Sequence, residues 1–214
     1  GGPIGFGRRA GENRRRALVR SVVDDDVVGD NKGAEAAETA LQMIAGVIDH
    51  ADAIAAFTNP TVNAYKRLGP DTLAPYRSNW GYDNRSTMIR IPPERGQGTR
   101  LELRIGDGSA NPYVIIAVVL AAALDGIRRG LTPPAAAEGW AYEDEERPVL
   151  PMSLKAALDA LAADAGLRDL LTGDFIDVFT VMKRDEVERY EAEVDDPDTR
   201  DVTAWELEEY IEDY

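Results

Sequence analysis

Residues 100–105 read Arg-Leu-Glu-Leu-Arg-Ile. This alternation has the period of a β-strand. Leu101, Leu103 and Ile105 share one face, and Arg100, Glu102 and Arg104 share the other. A loop precedes the segment and an apolar helix follows it. The strand is therefore expected inside the fold, where a charged face must line something wet. A carboxylate can hold a divalent cation through oxygen, and guanidiniums fork onto carboxylate or phosphate. On the residues alone, an anion and metal cleft stands beside a structural ladder of ion pairs. Just upstream, Thr87–Ile91 alternates as well, with Arg90 inside its apolar run. Arg85 precedes that run, and Arg67 ends Tyr65-Lys66-Arg67. In an acidic chain, this grouping of arginines around Glu102 marks an anion site. A reaction of ATP with a carboxylate substrate uses such groups, because the arginines offset charge on the transferring phosphoryl.

The flanking sequence reads mostly as helix. Ala37, Leu41, Ile44, Ile48, Ala51 and Ile54 recur at three- and four-residue spacings. They predict one helix from Ala34 that Asn59-Pro60 should end. His50 lies in it, with a structural contact as the expected role. Residues 69–85 are rich in Gly, Pro, Asn and aromatics and read as loop, as do residues 92–99. Residues 113–129 are apolar nearly all round, which predicts a buried helix. Pro112 sits near its first turn and Gly130 at its end. An acidic loop over 132–151 leads to helices at 154–163, capped by Ser153, then 174–193 and 203–213. Residues 1–33 carry Arg-rich tracts followed by Asp24-Asp25-Asp26 and are expected to be an irregular N-terminal segment. The folded unit is expected to span 34–214.

The composition removes several function classes. At about 150 residues per domain, 214 residues make one domain. The net charge of −15 argues against nucleic acid and against an anionic membrane surface as partners. No apolar run approaches the roughly 20 residues of a membrane span, and no secretory signal pattern is present. A cytoplasmic location is expected. There is no cysteine, so disulfides and thiolate sites are excluded. A single histidine, His50, speaks against a His-based triad or a multi-His metal site. The acidity comes from 22 Asp and 17 Glu against 20 Arg and 4 Lys. Such a surface suits a salt-rich cytoplasm, where screening weakens self-repulsion. An ordinary Arg-rich protein from a GC-rich genome would read the same way. The first residue is Gly1 rather than Met, which leads us to expect a fragment or a processed chain.

The run Asn59-Pro60-Thr61-Val62-Asn63-Ala64-Tyr65-Lys66-Arg67-Leu68 resembles a signature of the glutamine synthetase family. Further matching segments follow in order. They are Asn84-Arg85-Ser86 with Ile89–Pro92, then Arg100–Arg104, Ser109–Tyr113, Ala121–Gly130 and Trp205-Glu206 with Tyr210. The resemblance implies an α/β (α+β) fold: the C-terminal portion of the catalytic domain, antiparallel strands packed with helices and a helical C-terminus. It also implies a carbon–nitrogen ligase of nitrogen metabolism and glutamine biosynthesis. Such a ligase activates glutamate with ATP to γ-glutamyl phosphate, and ammonia or another amine then displaces phosphate. Mg²⁺ or Mn²⁺ and a homo-oligomeric ring are implied as well. Carried over by motif, Arg67 and Arg104 bind glutamate. Arg85 is the catalytic arginine, contacting nucleotide phosphate and the reacting carboxylate. Arg90 contacts ATP, and Glu102 ligates metal. Tyr142 lies near where some bacterial members carry a modified tyrosine, although an ordinary loop tyrosine is the simpler reading.

Two departures qualify the resemblance. The family carries a flap glutamate six residues after the signature arginine, and here that position is Leu73. Leucine can neither close the site electrostatically nor take a proton from ammonium. An acceptor amine other than ammonia is therefore expected. The family's other metal ligands, in Glu-x-Glu pairs and a His-x-His motif, are absent from these residues. This chain alone is expected to bind ATP weakly and to turn over nothing. A non-catalytic fragment or assembly module is the alternative. A phosphotransferase acting on guanidino substrates is set aside, because the Asn59–Leu68 signature belongs to the ligases.

Overall fold

The computed structural model describes residues 38–70 and 72–212. The segment 1–33 and its boundary at residue 34 lie outside the described residues. The architecture is mixed α/β, with a small three-stranded sheet among helices.

The single helix expected from Ala34 is two helices, α1 (Glu38–Asp49) and α2 (Ala51–Thr58), bent by 76° at His50. The bend has a fixed anchor. The buried His50 imidazole lies 2.6 Å from Asp164 and 3.1 Å from Asp125, both on other elements. Helical hydrogen bonds continue on either side, from His50 N to Gly46 O and from Ile54 N to His50 O. Asn59-Pro60 ends α2 as expected, and Thr61 then caps one short turn, α3 (Val62–Tyr65), by accepting from Ala64 N.

The sheet holds β1 (Trp80–Tyr82), β2 (Ile89–Ile91) and β3 (Glu102–Leu103), in that order. Two features differ from expectation. β1 lies in a stretch read as loop, and it pairs in parallel with β2, Trp80 opposite Ile89. Only the β2–β3 pairing is antiparallel, Arg90 opposite Glu102. Parallel strands usually need a crossover of a dozen or more residues. Here residues 83–88 make the return. Asp83 takes φ 44°, and Asn84 Oδ1 accepts from both Ser86 N and Ser86 Oγ. The strand expected inside the fold, β3, stands at the edge of this sheet, and its charged residues Arg100, Glu102 and Arg104 are half-buried.

The long apolar helix is α4 (Pro112–Arg129). Asn111 caps it, and Gly130 stops it in the left-handed conformation at φ 61°. It is not buried all round. Val118, Ala122, Ala123 and Gly126 face the core, whereas Tyr113, Ile116, Leu120 and Leu124 are exposed. Its buried face crosses α1 backbone to backbone at Gly46 and Gly126. The C-terminal helices are α5 (Leu154–Ala163), α6 (Ala165–Leu171), α7 (Gly173–Glu193) and α8 (Ala204–Leu207). Ser153 caps α5 as expected. α6 was not foreseen, and Asp164 caps it through Leu167 N. The helix expected over 203–213 is instead α8 followed by a π-helical turn, Glu208–Glu212. The core joins Ile44, Ile54 and Phe57 to Met88, Ile91 and Ile105 of the sheet region and to Leu158 and Leu161 of α5.

Candidate active site

The β2–β3 register builds the centre of the site. Arg90 and Glu102 are cross-strand partners, and Arg90 Nη1 donates to Glu102 Oε2 at 3.0 Å. Arg100 takes the other carboxylate oxygen, with Nε 2.8 Å from Oε1. Burial alone would raise the Glu102 pKa. The guanidiniums of Arg100 and Arg90 outweigh it and hold the carboxyl below its usual range. The pairing continues outward at both ends. Arg90 Nη2 lies 2.5 Å from Asp83 Oδ1, and Arg100 Nη1 lies 3.2 Å from Glu94 Oε2.

Arg85 rides on the tight 83–88 return and projects into solvent. It makes no hydrogen bond or ion pair among the described residues. With Arg90 it lines an open cavity of about 680 Å³, whose wall also includes Asn84, Pro93 and Gly139.

Arg67 lies at the other end of β3, against the backbone that follows Arg104. Arg67 donates through Nη2 to Asn59 Oδ1 at 2.6 Å and to the carbonyl of Ile105, the residue after Arg104. Its Nε lies 3.2 Å from Asp107. Burial works against ionisation of Asp107, but Ser109 and Arg67 together hold its carboxyl low. The Arg104 Nη1 is buried and has no hydrogen-bond partner. The structure therefore brings Arg85, Arg90 and Glu102 into one group, and Arg67 is joined to the far end of β3 through the backbone carbonyl of Ile105.

Sequence reasoning missed Asp83, Glu94 and Asp107, the loop carboxylates that pair with these arginines. No periodic signal marks a loop carboxylate. The nearest cue was the unbalanced positive charge of the strands themselves.

Leu73 is 81% exposed on the loop after Arg67. Its carbonyl accepts from the Tyr142 hydroxyl at 2.7 Å. Tyr142 is itself buried and stacks on Tyr76, so it anchors the Leu73 loop.

The donors present do not by themselves hold a catalytic divalent cation. Such an ion takes six or more oxygens. Glu102 is the one carboxylate on the strand face, and both its oxygens are engaged by arginine. Asp49, His50 and Asp125 also lie close together, but the cation among them is Arg129, whose Nη1 bridges Asp49 at 2.6 Å and Asp125 at 2.8 Å.

Guanidiniums grouped around one carboxylate have the chemistry to meet phosphate and carboxylate groups. Residues 21–210 match the glutamine synthetase catalytic domain, and the chain belongs to the glutamine synthetase family. It is 46% identical over 197 residues to a glutamine synthetase of Pyrococcus horikoshii, covering 86% of this chain and 44% of that protein. It is 40% identical over 191 residues to the glutamine synthetase of Thermus thermophilus, covering 86% and 41%. Among solved structures it resembles a GmaS–ADP complex, with TM-score 0.70 and 34% identity over 87% of this chain and 42% of that one. The chain thus spans less than half the length of the relatives it matches. No single helix among the described residues is long and apolar enough to cross a membrane.

Proposed function

We propose that this chain supplies the C-terminal part of the site of an ATP-dependent ligase. That ligase forms an amide on the γ-carboxylate of glutamate through γ-glutamyl phosphate. The observation that carries the reading is Arg85, a solvent-facing guanidinium without a partner among the described residues, in the same cavity as Arg90. A phosphate group can take it without breaking an existing ion pair. Two kinds of likeness support the proposal: the family match over 21–210, and the resemblance to a GmaS structure that holds ADP. In this reading Arg85 contacts the nucleotide phosphate and the reacting carboxylate, and Arg90 contacts ATP. Arg67 and Arg104 hold glutamate. Glu102 would be one of several oxygen ligands of a Mg²⁺ or Mn²⁺ ion that offsets phosphate charge, and would have to give up part of its pairing with Arg90 or Arg100 to do so. The remaining ligands lie outside this donor set. In the whole protein the site works within a homo-oligomer in the cytoplasm. The non-catalytic alternative, a fragment or assembly module, is the less favoured reading, because the match to the catalytic domain runs over residues 21–210.

Leu73 sets the acceptor. An exposed aliphatic side chain offers neither a base for ammonium nor a charge to recruit it, so the acceptor is an amine with an apolar substituent. The test has two arms. Calorimetric titration of ATP into this chain should show weak binding. Arg85→Ala should reduce it by about tenfold or more, as expected for losing charge-assisted hydrogen bonds to phosphate. In the protein that carries this chain, glutamate should be amidated faster with alkylamines than with ammonia. Undiminished ATP binding in Arg85→Ala refutes the site assignment. Ammonia as the best acceptor by a wide margin refutes the reading of Leu73.

A further inference from the structure

Arg67 hangs from a short piece of chain. α3 is a single turn, and a helix of that length does not stand alone in water. On one side Ala64, Tyr65 and Leu68 are buried in the core. Apolar packing is non-directional, so it sets the depth of this turn more sharply than its orientation. The other side is held by directional bonds from residues 200–210. Arg200 donates to the carbonyl of Leu68, the residue after Arg67. Lys66 Nζ donates to the Asp201 carbonyl and to Glu206 Oε2, each at 2.6 Å. Asn63 Nδ2 donates to Glu206 Oε1 at 2.8 Å. The Val62 N–H lies in the first turn of α3, where no helical carbonyl can serve it, and donates to the Tyr210 hydroxyl at 3.1 Å. This segment is in turn tied to α7. The Tyr210 hydroxyl donates to the buried Glu186 at 2.6 Å, and Arg189 grips both oxygens of Glu209 at 2.5 and 2.7 Å. Trp205 packs edge-on against Tyr190 and Tyr210.

We infer that residues 200–210 are a strap that positions Arg67, and that Glu206 and Tyr210 are positioning residues for glutamate binding. The inference rests on the proposed ligase reading, in which Arg67 holds glutamate. The far end of Arg67 is fixed by Asn59, the Ile105 carbonyl and Asp107, and the strap fixes the backbone from which it starts. Glu206 joins the two tasks of the strap. Its Oε2 also accepts from Thr203 N and Thr203 Oγ1, so one carboxylate caps α8 and holds Asn63 and Lys66. Burial alone would raise the Glu206 pKa, but Lys66, Thr203 and Asn63 outweigh it and hold the carboxyl below its usual range. A guanidinium that forks onto a carboxylate tolerates little misplacement, because both hydrogen bonds share one plane. No hydrogen bond or ion pair among the described residues joins the strap to Arg85, Arg90 or Glu102. Loosening the strap should therefore affect glutamate and spare ATP.

The test is steady-state kinetics of the protein that carries this chain, with glutamate and ATP varied in turn and an alkylamine as acceptor. Tyr210→Phe and Glu206→Gln should each raise KM for glutamate about fivefold or more, with kcat and the KM for ATP within about twofold of the parent. Tyr210→Phe keeps the ring and its packing on Trp205, so it carries the test if Glu206→Gln does not fold. A merely structural loss lowers the amount of active protein, hence the apparent kcat, and leaves KM where it was. Gly126→Ala, which parts α1 from α4 instead, should therefore keep the parent KM for glutamate. Arg67→Ala should raise that KM about tenfold or more. Independently of turnover, the amides of residues 62–68 in the 214-residue chain should exchange hydrogen about tenfold faster in Tyr210→Phe. The strap is refuted if Arg67→Ala raises KM for glutamate and Tyr210→Phe does not, if Gly126→Ala raises it as much as Tyr210→Phe, or if exchange over 62–68 is unchanged. If Arg67→Ala itself leaves KM for glutamate unchanged, the glutamate assignment of Arg67 falls, and the role of the strap falls with it.

Discussion

Replacing Gly126 by alanine tests how the helical layer is held. A Cβ built on Gly126 would lie 2.1 Å from the Gln42 carbonyl oxygen and 2.7 Å from Gly46 N. One on Gly46 would lie 2.2 Å from the Ala122 carbonyl oxygen. Ordinary van der Waals contact begins near 3.4 Å, so each methyl overlaps its neighbour by more than 1 Å. The atoms in the way are all backbone, so no rotamer change relieves the clash. α1 and α4 must move apart, and this is the most extensive helix–helix contact among the described residues. A gap of 0.5–1 Å already forfeits a quarter to a half of each dispersion contact. Overpacking of this kind costs about 1–3 kcal/mol, and more where nothing can yield. Alanine regains about 1 kcal/mol of helix propensity over glycine. Overlaps of more than 1 Å with backbone that cannot yield put the cost here above that range, at about 3–5 kcal/mol, so the net expectation for Gly126→Ala is a loss of about 2–4 kcal/mol. At about 2–4 °C per kcal/mol for a domain of this size, the melting temperature should fall by roughly 5–15 °C. Urea denaturation followed by far-ultraviolet circular dichroism measures it. Gly108→Ala is the control, because a Cβ there meets nothing within 4 Å. If Gly126→Ala proves as stable as the parent, or gains the 1 kcal/mol that propensity alone predicts, the close crossing is not what holds these helices.

Two further outcomes follow from buried charge. Burial pushes the His50 pKa down, but the carboxylates of Asp164 and Asp125 outweigh it and leave the imidazole above its ordinary 6.5. Asp49 and Arg129 complete the charged surroundings, through the contacts of Arg129 with Asp49 and Asp125. A raised pKa contributes stability that is fully present below 6.5 and is lost as pH rises through the folded value. The melting temperature should therefore decline above pH 6.5 in the parent and decline less in His50→Asn, and an unchanged pH slope would remove the imidazolium from the account. Glu206, 2% exposed, accepts from Asn63, Lys66, Thr203 N and Thr203 Oγ1 at 2.6–2.8 Å. Glu206→Ala should cost about 3–5 kcal/mol in urea denaturation by leaving Lys66 without its carboxylate, and a loss below about 1 kcal/mol would contradict this.

What the sequence made legible was local. Asn111, Pro112 and Gly130 bound α4 because caps and stops act on their own backbone, and Gly130 takes the φ of 61° that glycine accepts freely. β2 and β3 fall inside the two alternating segments because period two is written along one strand. What stayed hidden depends on distant pairing. Trp80-Gly81-Tyr82 has no alternation, and it becomes a strand only because β2 lies beside it. The bend at His50 is anchored by Asp125 and Asp164, which lie 75 and 114 residues away. The exposed side of α4 was misjudged for a related reason. An apolar run records what a helix can bury, not how many of its faces find a neighbour.

The same distinction bears on the two readings of the charged strand. The ladder is present in register: Glu94, Arg100, Glu102, Arg90 and Asp83 alternate in sign, each in contact with the next. A ladder so complete has little left for a ligand, because an incoming phosphate at Arg90 or Arg100 must compete with a carboxylate already in place. Arg85 and the buried Nη1 of Arg104 stand outside it. They lie on either side of the paired rungs in sequence, Arg85 before β2 and Arg104 after β3. In the proposed reading the ladder braces the strands, and a nucleotide contact at Arg90 has to displace part of its pairing with Asp83 or Glu102. The ladder neutralises and fixes the strands at modest cost, while the two uncommitted guanidiniums keep their donors for the charge that the proposed reaction transfers. The net charge of −15 does not oppose such a site, because potential near a cleft is set by the groups within a Debye length of it. For an incoming anion, what counts is how many of the nearby guanidiniums are already paired.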